Sequence, residues 1–490
     1  MVNLQLLTAS ILSLMVTLGP AQTKSRPLEA NGPGSRQAFA STQSINDGTL
    51  ASVRRSDRVN RDADNKLLRL SAVEHLRRAN VYMTNRAFAE AREHWQAIVD
   101  NYPQDPRVSE ALLGIGRSYF QSRRYMEAHS TFDRLAREYG ATKEGREGLN
   151  FGAAALLRMG RPADAVDKYI EYINRFPNGE RIDTAHLNVI DTLREAGRPQ
   201  EAVSWVGRAR QRFAGTPTES NALFARLRLE VAEANWKQAV LTADELSTKR
   251  FDKSVLTSPS EVAYLRAYSL ERAGNRHEAQ AAYLAIPDAP ESYYGWLATE
   301  QLEGFADSVG QNLVKERLSR TNSRIAAASA LYPAPYRQAI LKTARARNLD
   351  PAFILAIIRQ ESVFRPLAKS PAGARGLLQL TIDAAQKYAS GAGLNQLREN
   401  DLYRPETSII LGGEYLAELA AMFPHPLEAV AASYNGGEDN VARWVKRARH
   451  EDPGVFTAEI GFEETKGYVQ KVMTNYRAYR HLYTADLVRR

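Results

Sequence analysis

Cysteine is absent from the 490 residues, which removes disulfides, a thiolate nucleophile, an acylated lipoprotein cysteine and cysteine-held zinc from consideration. The redox compartment stays open. The chain also lacks a long basic run: 65 Lys and Arg against 56 Asp and Glu leave a net charge of +9, spread along its length. Nucleic acid is therefore not expected as a partner, because its binders gather such charge into a patch or stripe. An anionic polymer or a membrane surface suits the sign equally well. No P-loop, HExxH or EF-hand pattern occurs, so no nucleotide, cofactor or metal is implied. Beyond the N-terminal segment no stretch is long and apolar enough to span a bilayer.

That segment, "LQLLTASILSLMVTLGPA", is short, apolar and closed by the small residues Gly19 and Ala21. It reads as a secretory leader, 1–21, cut after Ala21. The "MVN" start carries no basic residue, and an uncleaved anchor is the alternative. Residues 22–65 hold few large apolar side chains and many breakers, and are expected to form a disordered linker.

Self-similarity begins after the linker. Ala91, Ala128, Ala165, Ala202 and Ala239 stand 37 residues apart, as do Tyr102, Tyr139, Phe176 and Phe213. The contexts recur too, in "RRYMEAHSTFDRLAREYG" and "GRPADAVDKYIEYINRFP". A small residue at one repeated position lets two helices approach closely, and the aromatic near each second helix end is expected to pack on the next unit. Such units resemble tetratricopeptide-type helical hairpins, which bury a core only by stacking. A looser unit around Ala279 extends the helical-repeat superhelix, read as 66–328. Repeats of this kind serve more often as scaffold or docking surface for protein partners than as catalyst.

The remainder, 329–490, drops the period and reads as a small, nearly all-α domain. Asp350 and Pro351 supply an N-cap and first-turn proline for a helix running through "FILAIIRQES", and Pro366 is expected to end it. On a 3.6-residue period Glu361 shares a face with Ile354, Ile357 and Ile358. Partial desolvation there raises a carboxyl pKa and suits a general acid; pairing with Arg359, Arg365 or Arg375 is the plainer alternative. In "GARGLLQL", Gly373 and Gly376 bracket a turn that lets a ligand near the backbone, with Gln379 offering donor and acceptor. A simple helix-connecting loop accounts for it equally. "ASYNGG" places Tyr434 and Asn435 at a helix end, either as a turn or as a phenol and an amide for a sugar. In "GFEETKGYVQKV", Glu463 and Glu464 open a helix carrying Tyr468, where acids in the first turn suit the helix dipole.

Taken in order, "RQES", "GARGLLQL", "ASYNGG" and "ETKGYVQKV" resemble the catalytic domain of soluble lytic murein transglycosylases, glycoside hydrolase family 23, with a goose-lysozyme-like fold. The likeness covers roughly Tyr332 to Tyr483, and "SYYGWLA", Ser292 to Ala298, resembles a segment that precedes the domain in that family. The fold it implies is an all-α helical-repeat superhelix followed by a lysozyme-like α-helical domain. By the same resemblance Glu361 is the single acid/base glutamate and Ser362 its hydroxyl neighbour. Gln379, Tyr434, Asn435, Glu464 and Tyr468 match substrate-binding positions, and Leu378 stands where Met is usual, as a sugar-facing apolar wall. Lys466 replaces the usual Arg, which weakens any role in fixing Glu464.

What the resemblance implies is a periplasmic enzyme acting on peptidoglycan glycan strands without metal or cofactor. Protonated Glu361 would release N-acetylglucosamine from N-acetylmuramic acid, then take the proton of the C6 hydroxyl as it attacks C1, leaving a 1,6-anhydromuramoyl end. A lysozyme-type hydrolase with Asp383 or Glu464 as second carboxylate, and a non-catalytic glycan-binding scaffold, are the competing readings.

Overall fold

The computed structural model describes residues 49–305, 308–394 and 396–490. The leader 1–21 and residues 22–48 of the linker lie outside the described residues. The described residues are helical, with three isolated β-bridges and no sheet among them. None of their helices is long and apolar enough to cross a membrane.

Contacts divide the chain into two compact units. The first holds the described residues up to Tyr172 together with Lys369–Ala374; the second holds Ile173–Ala368 and Arg375–Arg490. The sequence boundary at 328–329 is not where compactness changes. Periodicity ends there, but the later repeats and the last domain are packed as one body by buried ion pairs.

In the first unit the hairpins Ala72–Thr84 with Phe88–Asn101 and Val108–Gln121 with Tyr125–Glu138 stack around Trp95, Ile98, Phe132 and Leu135. The linker reading is corrected over its last part, because residues 49–59 form a helix. Leu50 and Val53 are buried in the core, and Asp57 receives the Tyr82 hydroxyl at 2.6 Å and pairs with Arg78. Three inward residues at i, i+3 and i+7 suffice to order a segment that composition alone marks as solvated.

In the second unit the hairpins continue through Ile182–Glu195 and Pro199–Arg212, Pro217–Ala232 and Trp236–Ser247, and Pro259–Arg272 and Arg276–Leu284. The repeated alanine is always the fourth residue of a hairpin's second helix, and Ala91, Ala128, Ala165, Ala202, Ala239 and Ala279 are each 0% exposed. Close helix approach follows, since any larger side chain would overpack the seam. Two of the repeated aromatics contact the first helix side of their own hairpin. Tyr102 donates its hydroxyl to the Leu70 carbonyl, and Phe213 sets its ring 5.2 Å from His186.

The helix Pro351–Ser362 lies at the centre of the last domain, capped as expected by the Asp350 carboxylate on the Ala352 N–H. Ile354, Leu355, Ala356, Ile357 and Ile358 are all 0% exposed, so every side is covered. Each Ile and Leu side chain contributes about 1.5–3 kcal/mol on burial. The helix ends at Ser362, earlier than Pro366 led one to expect, because Val363 and Phe364 take left-handed conformations at φ 49° and 58°. Glu361 therefore stands on the last turn, where the helix leaves the core.

Candidate active site

Glu361 is partly exposed, and dense protein around it pushes its carboxyl up to about 7 from an ordinary 4.5. Burial is the main cause, the Glu464 charge adds to it, and the Tyr468 hydroxyl, donating to Oε1 at 2.7 Å, opposes it. The plainer ion-pair alternative does not hold: Arg359 donates to Asn475, Arg365 to the Ser362 carbonyl and Arg375 to Glu399. A protonable acid with an open edge results.

Three hydrogen bonds join the four sequence blocks. Tyr468 reaches Glu361; the Tyr434 hydroxyl donates to the Leu378 carbonyl at 2.6 Å; and Thr465 donates to Asn435 Oδ1 at 2.8 Å. Tyr434 is 3% exposed, its ring 5.1 Å from that of Tyr415, and burial holds both its phenol and that of Tyr468 well above the ordinary range. Glu464 is exposed on the first turn of the helix Glu463–Leu482 and acts on Glu361 through its charge. Asp383 is exposed and is not among the charges that act on Glu361.

Several side chains face other ways than expected. Leu378 is 0% exposed and packs on Gly412, so it offers no wall to a sugar; its part is the carbonyl that holds Tyr434. Ser362 is 1% exposed and returns its hydroxyl to the Ile358 carbonyl of its own helix. Gln379, at φ 46°, donates its amide to the Ala368 and Gly376 carbonyls at 3.0 and 2.8 Å, which ties the loop and leaves its oxygen available. Lys466 points away from Glu464 altogether, to the buried Glu261. Gly376 keeps its backbone bare for a protein group rather than a ligand. Its φ is 80°, and a Cβ there would stand 1.9 Å from the Leu402 carbonyl oxygen. Gly376→Ala is expected to cost at least about 2 kcal/mol, since strain of this kind alone costs roughly 1–3. Urea unfolding measures it; an unchanged midpoint would mean the loop relaxes freely.

Tyr415 and Thr465 escaped the reading of the sequence. A signal for Tyr415 was present, since Gly412 and Gly413 inside the helix Pro405–Met422 mark a close approach, met by Leu378 and Thr343. Glu428 was also missed. Burial pushes it up to about 7 as well, but it is 3% exposed and takes the Tyr293 hydroxyl at 3.0 Å, with no open edge for a substrate.

The architecture is all-α, helical hairpins followed by a further helical domain, a fold shared with the X-ray structure of an inactive mutant of lytic transglycosylase Slt from Pseudomonas aeruginosa. That likeness covers 92% of this chain and 89% of the other, with a TM-score of 0.50 and 18% identity. Residues 338–456 match the family described as Transglycosylase SLT domain, and 76–142 and 153–217 match Tetratricopeptide repeat. A segment that matches the SLT domain model thus follows two segments that match the repeat model. The matched segment holds Glu361, Leu378, Gln379, Tyr434 and Asn435 and stops short of Glu464 and Tyr468. Proteins named soluble lytic murein transglycosylase from Salmonella typhimurium and Escherichia coli K12 are each 32% identical, over 152 and 159 residues. These matches cover 31% and 32% of this chain and 24% of each relative's length.

Proposed function

We propose that the chain is a peptidoglycan lytic transglycosylase, built as a repeat region over 66–328 and a catalytic domain over 329–490. Glu361 is its acid and then its base. Protonated, it gives its proton to the oxygen linking N-acetylmuramic acid to N-acetylglucosamine, and the C1–O bond breaks. The C6 hydroxyl attacks C1 and passes its proton to the Glu361 carboxylate, so a 1,6-anhydro ring forms, no water is consumed and the acid is restored. One group serving both steps needs a pKa near the working pH. The carrying observation is the elevated carboxyl of Glu361 at an open edge, with Tyr468 fixing its orientation.

Tyr434, donating to a backbone carbonyl, gains electron density on its oxygen and suits the cationic sugar. The oxygen of Gln379 and the amide of Asn435 hold the saccharide. The exposed carboxylate of Glu464 favours hydrolysis as the second reading, with water delivered from that side. Export to the periplasm, where the substrate lies, completes the proposal, and the repeats offer surface to protein partners.

A pH–rate profile tests the acid role. With Glu361 active when protonated, kcat/KM falls as pH rises through about 7. Tyr468→Phe removes a donor that favours the carboxylate, so the falling limb moves to higher pH while turnover drops. A limb that stays in place would detach Tyr468 from Glu361.

A further inference from the structure

We propose that Lys466 and Glu261 are positioning residues for Glu361: this buried pair lets the repeat region set the rotation of the helix Glu463–Leu482, and with it the Tyr468 hydroxyl on the acid. The inference rests on the reading of Glu361 as the acid/base. Two residues along a helix turn the chain by about 200°, so Lys466 and Tyr468 stand on opposite faces. Tyr468 meets Glu361 at 2.7 Å. Lys466, 8% exposed, donates to Glu261 Oε1 at 2.9 Å and to the Leu256 carbonyl at 3.1 Å, with its ammonium 4.7 Å from the centre of the Phe224 ring.

Glu261 is 1% exposed and its carboxylate is fully engaged, taking the Tyr294 hydroxyl and the Thr257 hydroxyl at 2.9 Å each besides the ammonium. Arg477 lies eleven residues after Lys466, which brings it to within about 20° of the same face. It donates to Asp288 at 2.6 and 2.8 Å, and the Asp288 side chain is 0% exposed. Two buried ion pairs about three turns apart fix a helix against both sliding and rolling. Its other face packs on Pro351–Ser362, through Tyr476 on Asp350 and on the Phe353 ring. A buried ion pair rarely adds stability over apolar side chains of similar volume, so what this one supplies is geometry.

The groups facing Glu361 are Tyr468 and Glu464 from the clamped helix and Tyr434 from Leu427–Gly436. Rolling the helix moves two of the three. Weaker donation by Tyr468 disfavours the carboxylate, and the falling limb of kcat against pH shifts upward.

The test compares full-length wild type with the double variant Glu261→Leu, Lys466→Met, which leaves no unpaired buried charge, and with Lys466→Arg. Release of muropeptides from sacculi is followed across pH. The double variant is expected to lose roughly tenfold in kcat, as a displaced catalytic group does, with KM within about twofold and the limb moved to higher pH. Lys466→Arg, which keeps the charge, is expected to bring the limb back toward wild type. A double variant with wild-type kcat and limb overturns the proposal, as does a fall in kcat with an unmoved limb. Should the double variant fail to fold, Tyr294→Phe deletes one donor to Glu261, and an unmoved limb there overturns it equally. No release by wild type would instead strike at the reading of Glu361 itself.

Discussion

Glu361→Gln is expected to abolish turnover of peptidoglycan while leaving the fold intact. Glutamine keeps the shape and still accepts the Tyr468 hydroxyl through its oxygen, yet it neither gives nor takes a proton. General acid–base groups contribute about a hundred- to ten-thousandfold, and one residue serving both steps puts the loss near the upper end. The stability change has a definite sign. The folded protein holds this carboxyl near 7, above its ordinary 4.5, so the contribution to folding is complete below the ordinary value and is lost as pH rises through about 7. Glutamine escapes that loss. The variant should melt at or above wild type at pH 8, and the difference should shrink at pH 5; calorimetry at the two values decides. Substantial residual turnover, or a variant that melts lower at pH 8, would remove Glu361 from its role.

The second large effect concerns Glu459, whose side chain is 2% exposed at the end of the helix Pro453–Glu459. It pairs with Arg194 and Arg228 of the repeats and with Arg447 of its own domain, the last two at 3.2 Å. Glu459→Ala takes one of two acidic partners from each of three buried guanidinium groups; breaking a buried pair outright costs roughly 3–5 kcal/mol, and the loss is expected toward the lower end of that range. Asp191 and Glu195 remain beside them, which keeps the loss from growing further. Despite its burial, the three guanidinium groups hold the Glu459 carboxyl below its usual range. Its stabilisation is therefore present above the ordinary carboxylate range and disappears as pH falls through the depressed value. Denaturant unfolding of wild type and variant should converge on acidification. A loss under about 1 kcal/mol at neutral pH would mean the ion pairs are dispensable to the packing of repeats on the last domain.

Much of the fold was legible because one small residue recurs wherever two helices must touch. A second register was hidden. Arg86, Arg123, Gly160, Gly197 and Ala234 all take positive φ, again 37 residues apart, but three of the five are not glycine and give no sign of it in the sequence. Glu361 could be found because its own helix carries the apolar neighbours that perturb it. The outward or inward sense of Leu378 and Ser362 could not, since both are set by contacts that local period does not encode: Gly412 for one, the Ile358 carbonyl for the other. Lys466 was harder still. Its partner Glu261 lies 205 residues earlier in the chain, and nothing local distinguishes that acid from the adjacent Glu464. The ordered helix over 49–59 shows the same limit, where a few inward side chains outweigh a polar composition.

The central claim is that Glu361 cleaves the glycan without water, and the ends left on released muropeptides test it most directly. Sacculi digested by full-length wild type beside Glu361→Gln, with the products identified by mass spectrometry, should yield 1,6-anhydromuramoyl ends from wild type and none from the variant. Reducing ends from wild type would contradict the account and put a water-activating carboxylate such as Glu464 in its place.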